Sequence, residues 1–95
     1  MVHKFENFVT NRKVIIYHGL GSQPSPTRNS LLTRKGFDVH ADQFDYNSEW
    51  NLDMGKSLFE RELSNAKSCD LIIGISFGGY LAYHLSKALG KNLIL

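Results

Sequence analysis

Gly74-Ile75-Ser76-Phe77-Gly78 is the stretch of this chain whose residue types and spacing point to covalent chemistry. It matches the pattern G-x-S-x-G, and Gly79 follows. A chain of this composition is expected to contain about 0.06 such matches by chance, so the bare pattern is weak. Its setting strengthens it. Asp70-Leu-Ile-Ile-Gly-Ile75 is a nearly all-apolar run, as a strand covered on both faces must be. Gly78 to Leu89 reads as a helix that is apolar around most of its circumference. Strand, turn and helix with serine at the turn form the context of a nucleophile elbow. The turn would strain Ser76 and expose its hydroxyl, with Gly74 and Gly78 omitting Cβ atoms where strand and helix crowd. The helix N-terminus would bring amide hydrogens and partial positive charge beside the serine. The competing reading is a glycine-rich turn of a Rossmann-like or flavodoxin-like domain, with Ser76 a helix cap. Neither the dinucleotide fingerprint nor the P-loop pattern occurs in the chain.

Acyl transfer also needs two N–H donors aimed at a developing oxyanion. Phe77, the residue after the serine, would supply one. Tyr17-His18-Gly19-Leu20-Gly21 leaves the end of an earlier β-branched run and would supply the other, most simply from Leu20. Glycine beside it lets backbone approach a substrate. His18 has two readings: it ties this loop down through a side-chain hydrogen bond, or it acts as base from the awkward oxyanion side.

Together, IIYHGLGSQPSPTRNSLL and, some fifty residues later, LIIGISFGGYLAYHLSKALG resemble the small α/β-hydrolase esterases of the YqiA/YcfP-like group. The resemblance runs from about Lys13 to Leu95 and corresponds to the N-terminal half of such an enzyme. It implies Ser76 as nucleophile, Leu20 and Phe77 as oxyanion donors, and hydrolysis of short acyl esters or thioesters without metal or cofactor. In that superfamily an acid and a histidine follow the serine. Here no Asp or Glu follows Ser76, and the only later histidine is His84. Eight residues of helix place His84 about 12 Å down the axis, beside Ser86 and Lys87, as a surface or helix-end residue. His40, with Asp42 as orienter, and His3 remain as alternative bases. A serine hydroxyl without a base is a poor nucleophile at neutral pH, so activity in isolation should be feeble. A non-catalytic binding module reusing the fold is the other function to weigh.

The elements that must position these residues alternate strand and helix. Lys13–Tyr17 reads as a buried strand. Ser25-Pro26 starts a helix whose Leu31 and Leu32 should face inward and whose end is marked by Arg34, Lys35 and Gly36. Phe37 to about Ala41 is a second strand. A helix from near Asp53 to Lys67 puts Met54, Leu58, Phe59, Leu63 and Ala66 on one face. Gly90 stops the last helix, and Asn92 to Leu95 begins a fourth strand. Short right-handed crossovers make this an α/β three-layer sandwich, a parallel sheet of about four strands with three helices. It resembles the N-terminal half of an α/β-hydrolase, one truncated domain over residues 1–95 with residues 1–11 an N-terminal extension. Loops leaving the carboxyl ends of the strands then share one edge.

Composition bounds the rest. Leu, Ile, Val and Phe fill 28 of 95 positions, which excludes a disordered chain. The net charge of +2 is too small to argue for nucleic acid. It hides an acidic block, Asp38, Asp42, Asp45, Glu49 and Asp53, which is either a solvated loop or a site rim disfavouring anionic ligands. Tyr46 and Trp50 in that loop either line the substrate side or cover their own core. One cysteine, Cys69, rules out an internal disulfide and reads as packing at a strand start. Residues 1–11 lack the apolar run of a signal peptide and no run approaches the length needed to cross a bilayer, so a cytoplasmic protein without a membrane segment is expected. The apolar C-terminal edge strand invites a homo-oligomer or a partner chain.

Overall fold

The computed structural model describes residues 12–46 and 55–95. Its elements run β1 (Lys13–Tyr17), α1 (Pro26–Arg34), β2 (Asp38–His40), α2 (Lys56–Lys67), β3 (Leu71–Gly74), α3 (Phe77–Leu89) and β4 (Asn92–Ile94). The four strands form one all-parallel sheet in the order β2-β1-β3-β4. The expected α/β architecture of four strands and three helices is therefore the observed one.

Chain direction across the sheet fixes the layers. The first crossover steps from β1 outward to β2, and the next two step the opposite way, to β3 and then β4. Right-handed crossovers that reverse direction must lie on opposite faces, so α1 covers one face and α2 with α3 cover the other. The reversal leaves the carboxyl ends of β1 and β3 side by side, with their loops departing to opposite faces. In open α/β sheets that is where ligands bind. Val14 through Tyr17 are 6% exposed or less, as the central strand of such a sandwich requires. Backbone bonds from Asp70 N–H to the Lys13 carbonyl and from Ile75 N–H to the Tyr17 carbonyl extend the β1–β3 pairing by one residue at each end.

Local chemistry accounts for the helix ends. The Ser25 hydroxyl accepts from the Arg28 N–H at 3.2 Å, and Pro26 opens the helix where a missing N–H does no harm. Gly36, at φ 99°, turns the chain out of α1 toward β2. The inward placement of Leu31 is corrected. It is 45% exposed, and no residue of α1 is buried, because among the described residues α1 is the one helix on its face, near β2. For α2 the expected start near Asp53 moves to Lys56, since Gly55 adopts a left-handed φ of 80° that a continuous helix cannot hold. Asp53, Met54, Glu49, Trp50 and His3 lie outside the described residues.

Glu62 is the residue the sequence reading missed. Leu58, Glu62 and Ala66 repeat every fourth residue and form the buried stripe of α2. Glu62 is 1% exposed, yet its carboxylate is well supplied with donors. The Tyr17 hydroxyl donates to Oε1 at 2.9 Å, while Asn65 Nδ2 and Arg61 Nε donate to Oε2 at 3.0 and 3.3 Å. A buried charge is tolerated only with such partners. Burial, reinforced by the adjacent carboxylate, pushes the Tyr17 phenol well above its ordinary value.

This pair generates a pH dependence. The unfolded chain ionises Tyr17 near pH 10, whereas the folded state holds the proton. Stability from this group is therefore intact below about pH 9 and falls by up to about 1.4 kcal/mol per pH unit above about pH 10. Urea unfolding of the parent and of Tyr17→Phe between neutral and strongly alkaline pH checks it. The substitution should remove this part of the alkaline loss, and identical pH slopes would contradict the assignment.

Candidate active site

Ser76 sits between β3 and α3 with φ 55° and ψ −121°, the only positive φ of a non-glycine residue among those described. Such backbone geometry costs a β-carbon residue about 1–3 kcal/mol and persists only where its surroundings impose it. The surroundings here are tight. A Cβ on Gly74 would stand 2.5 Å from Gly79 Cα and 2.6 Å from Ala82 Cβ. On Gly78 it would stand 2.2 Å from the Tyr17 carbonyl oxygen and 2.4 Å from that of His18. The two glycines let α3 start directly against β3 and the end of β1. The chain bends at Ser76 because it has no other way to turn there.

The bend also decides what Ser76 does. A helix-capping serine has extended backbone and accepts a hydrogen bond from the first turn. Ser76 has neither feature: its side chain makes no cap hydrogen bond, and the residue is exposed. The helix-cap reading is set aside on geometry.

The loop after β1 runs against the serine, and a Cβ on Gly19 would lie 3.3 Å from Ser76 Cβ. Its conformation is held by His18, 3% exposed. The Phe44 N–H donates to His18 Nε2 at 2.7 Å, which puts the ring proton on Nδ1, and Nδ1 donates to the Gly19 carbonyl at 2.8 Å. The Tyr46 hydroxyl donates to the His18 carbonyl at 2.8 Å. Both ring nitrogens are thus engaged in bracing backbone. Gly19 O also accepts the Ser22 N–H at 3.2 Å. No peptide among the described residues is cis, so the Leu20 N–H points opposite to that carbonyl, away from His18 and Ser22. By the same argument the Phe77 N–H points out of the α3 N-terminus, since the Ser76 carbonyl accepts from Gly79 N–H within the helix.

Tyr46 is 2% exposed and packs edge-on to Phe77, with ring centroids 5.1 Å apart. It covers the core beneath the elbow and does not line a substrate side. Asp42 and Asp45 of the same loop are exposed.

The other histidines lie elsewhere. His40 shares its register position with Ile15 and, through it, Ile72, two strands across and four residues short of Ser76. That is about 10 Å sideways and about 13 Å along the strands, too far for a direct hydrogen bond. Its nearest acid is Asp38, with Nε2 3.6 Å from Oδ2, in place of the expected Asp42. His84 lies against Tyr80 and Tyr83, at ring separations of 4.7 and 5.2 Å, in a shallow apolar groove that begins at Ser76. Among the described residues no histidine is hydrogen-bonded to Ser76. Cys69 is 1% exposed at the start of β3, and burial pushes its thiol up, as its packing role implies.

No helix among the described residues is long and apolar enough to cross a membrane, and none of their side chains cluster as metal ligands. The chain matches no protein-family model, no curated protein and no solved structure.

Two measurements follow. Gly74→Ala and Gly78→Ala should each cost about 2–4 kcal/mol of unfolding free energy. Gly21→Ala, with open space but φ 69°, should cost about 1 kcal/mol. Denaturant titration ranks the three, and equal costs would contradict the close approach. His18→Ala should destabilise by about 1–3 kcal/mol and speed amide exchange at Gly19–Ser22. Unchanged exchange there would mean that the ring does not brace the loop.

Proposed function

We propose that this chain is a serine-hydrolase-like protein of the carboxylesterase or thioesterase type, similar to the small α/β-hydrolase esterases. Ser76 is its nucleophile, and the Leu20 and Phe77 amides receive the oxyanion. The observation that carries the reading is the exposed, uncapped Ser76 at φ 55° on a strand-to-helix bend. The adjacent Gly19 loop and the topological switch point support it.

In this reading Ser76 Oγ attacks the acyl carbon, and the carbonyl electrons move onto oxygen facing the two amides. The hydroxyl proton leaves to solvent, since no described imidazole is hydrogen-bonded to the serine. Collapse of the intermediate expels the alcohol or thiol, which takes a proton from water. A second water then releases the acid and restores Ser76. An oxyanion hole with binding but without a working triad gives about 10³–10⁴-fold acceleration over water, so turnover is feeble. His18, Gly19, Gly74 and Gly78 support the geometry without touching the acyl group. Free Cys69 fits a reducing cytoplasm.

The second reading, a binding module that reuses the fold, is favoured by one observation. The histidine nearest in sequence to the oxyanion loop spends both nitrogens on structure.

A fluorophosphonate probe separates the two. Labelling of the parent that Ser76→Ala abolishes is the expected result. No labelling beside a reactive control enzyme would favour the binding module. Residual p-nitrophenyl acetate turnover should survive His40→Ala unchanged, and a drop of tenfold or more would restore His40 as base.

A further inference from the structure

The His18 ring supports the site in one protonation state only. Nε2 accepts from the Phe44 N–H at 2.7 Å, and Nδ1 donates to the Gly19 carbonyl at 2.8 Å. An accepting ring nitrogen carries no proton, so this pair of bonds needs the neutral imidazole. A second proton turns Nε2 into a donor that meets another donor, the Phe44 N–H. The residue is 3% exposed, so solvent does not relieve the clash.

The surroundings offer the added charge nothing in return. From the segment after β2, the Tyr46 ring lies 5.2 Å from the imidazole and its hydroxyl donates to the His18 carbonyl, while Asp42 and Asp45 are exposed. Tyr17 of β1 and Arg61 of α2 pack on the Phe44 ring, and Glu62 of α2 is taken up by Tyr17, Arg61 and Asn65. Phe77 of α3 and the Gly19–Pro24 loop carry no charge. Among the described residues no carboxylate is hydrogen-bonded to the ring. Charge strengthens the Nδ1–H bond to the Gly19 carbonyl, so the Phe44 contact is the one that yields. Phe44 does not move alone. Its segment holds Tyr46, which braces the His18 carbonyl and packs edge-on to Phe77 with centroids 5.1 Å apart.

We propose that His18 is an acid-sensitive latch: protonation of its ring releases the segment after β2 from the Gly19 loop and loosens the Ser76 site. The closed form excludes the proton and the open form binds it, so falling pH shifts the balance toward opening. Histidine is the side chain whose charge ordinarily changes between about pH 5 and 8, which puts the release at mild acidity. The latch does not rest on the chemistry proposed for Ser76. It would govern a binding site equally, and an inert serine leaves it standing.

Solution NMR of the chain with ¹⁵N-labelled imidazoles, followed from about pH 8 to about pH 5, tests this, with circular dichroism tracking the fold. At the alkaline end the His18 ring should show a protonated Nδ1 and a bare Nε2. As the ring gains its second proton, amide protection at Phe44 and Leu20–Ser22 should fall about tenfold or more with the same midpoint. Protection is taken relative to the intrinsic exchange rate at each pH. His18→Gln keeps an acceptor toward Phe44 but does not titrate, so its protection should stay level. His40→Gln and His84→Gln should keep the parent's transition. The parent titration decides the matter by itself where His18→Gln fails to fold. A proton on Nε2 at the alkaline end, a ring that stays neutral throughout, protection that holds while the ring titrates, or loss of the whole fold at that midpoint would each overturn the proposal. So would a transition that survives His18→Gln or vanishes with His40→Gln or His84→Gln.

Discussion

The carbonyl oxygens of Tyr17 and His18 occupy the space that a side chain at residue 78 would need, 2.2 and 2.4 Å from where its Cβ would be. That contact sets the distance between the end of β1 and the start of α3. Gly74 against Gly79 and Ala82 sets the matching distance between β3 and the same helix. With both approaches fixed, the two residues between β3 and α3 must reverse the chain in almost no space. Ser76 takes the strained torsions that remain. The hydroxyl is held out at the sheet edge by this crowding, and its own side chain contributes no hydrogen bond to the helix.

Strain of this kind needs a stiff frame, and the frame is polar as well as apolar. Tyr17 ends the central strand, and its phenol is fixed by the buried Glu62 on α2. The next residue, His18, joins the Gly19 carbonyl to the Phe44 amide, and Tyr46 joins its hydroxyl to the His18 carbonyl. Three consecutive residues thus tie β1, α2 and the segment after β2 into one support beneath Ser76. Phe44, Tyr46 and Phe77 fill the space between these ties with ring contacts. The acidic segment after β2 therefore matters through its aromatic residues and one backbone amide, whereas its exposed carboxylates Asp42 and Asp45 stand toward solvent.

Features that depend on local rules were legible in the sequence. The apolar runs at Val14–Tyr17 and Leu71–Ile73, the Ser25-Pro26 helix start, and the glycines at 36, 74, 78 and 90 each have one local physical meaning. Features that depend on what packs above a residue were not. Leu31 and Leu32 read as core, yet among the described residues their face carries a single helix, and Leu31 stays half exposed. Glu62, a charged residue, has no place in the sequence reading, although its spacing from Leu58 and Ala66 sets it on the buried stripe. Its partner, a tyrosine at the end of a buried strand, was the missing clue. Of the two readings of His18, the loop tie is the one its ring hydrogen bonds match, and its second tie, to Phe44 twenty-six residues away, could come only from the fold.

The strain at residue 76 is open to direct measurement through paired substitutions. Glycine holds a positive φ without penalty, so Ser76→Gly should raise the unfolding free energy by about 1 kcal/mol even after the added freedom of its unfolded chain. Ser76→Ala keeps the Cβ and loses only an uncapped hydroxyl, and should leave stability within about 0.5 kcal/mol of the parent. A serine that capped α3 would behave in the opposite way, with alanine costing about 1 kcal/mol and glycine giving no gain. Denaturant unfolding of the three proteins decides between these outcomes. Stabilisation by glycine alone is the predicted result, and loss on going to alanine without gain from glycine would contradict the strained bend.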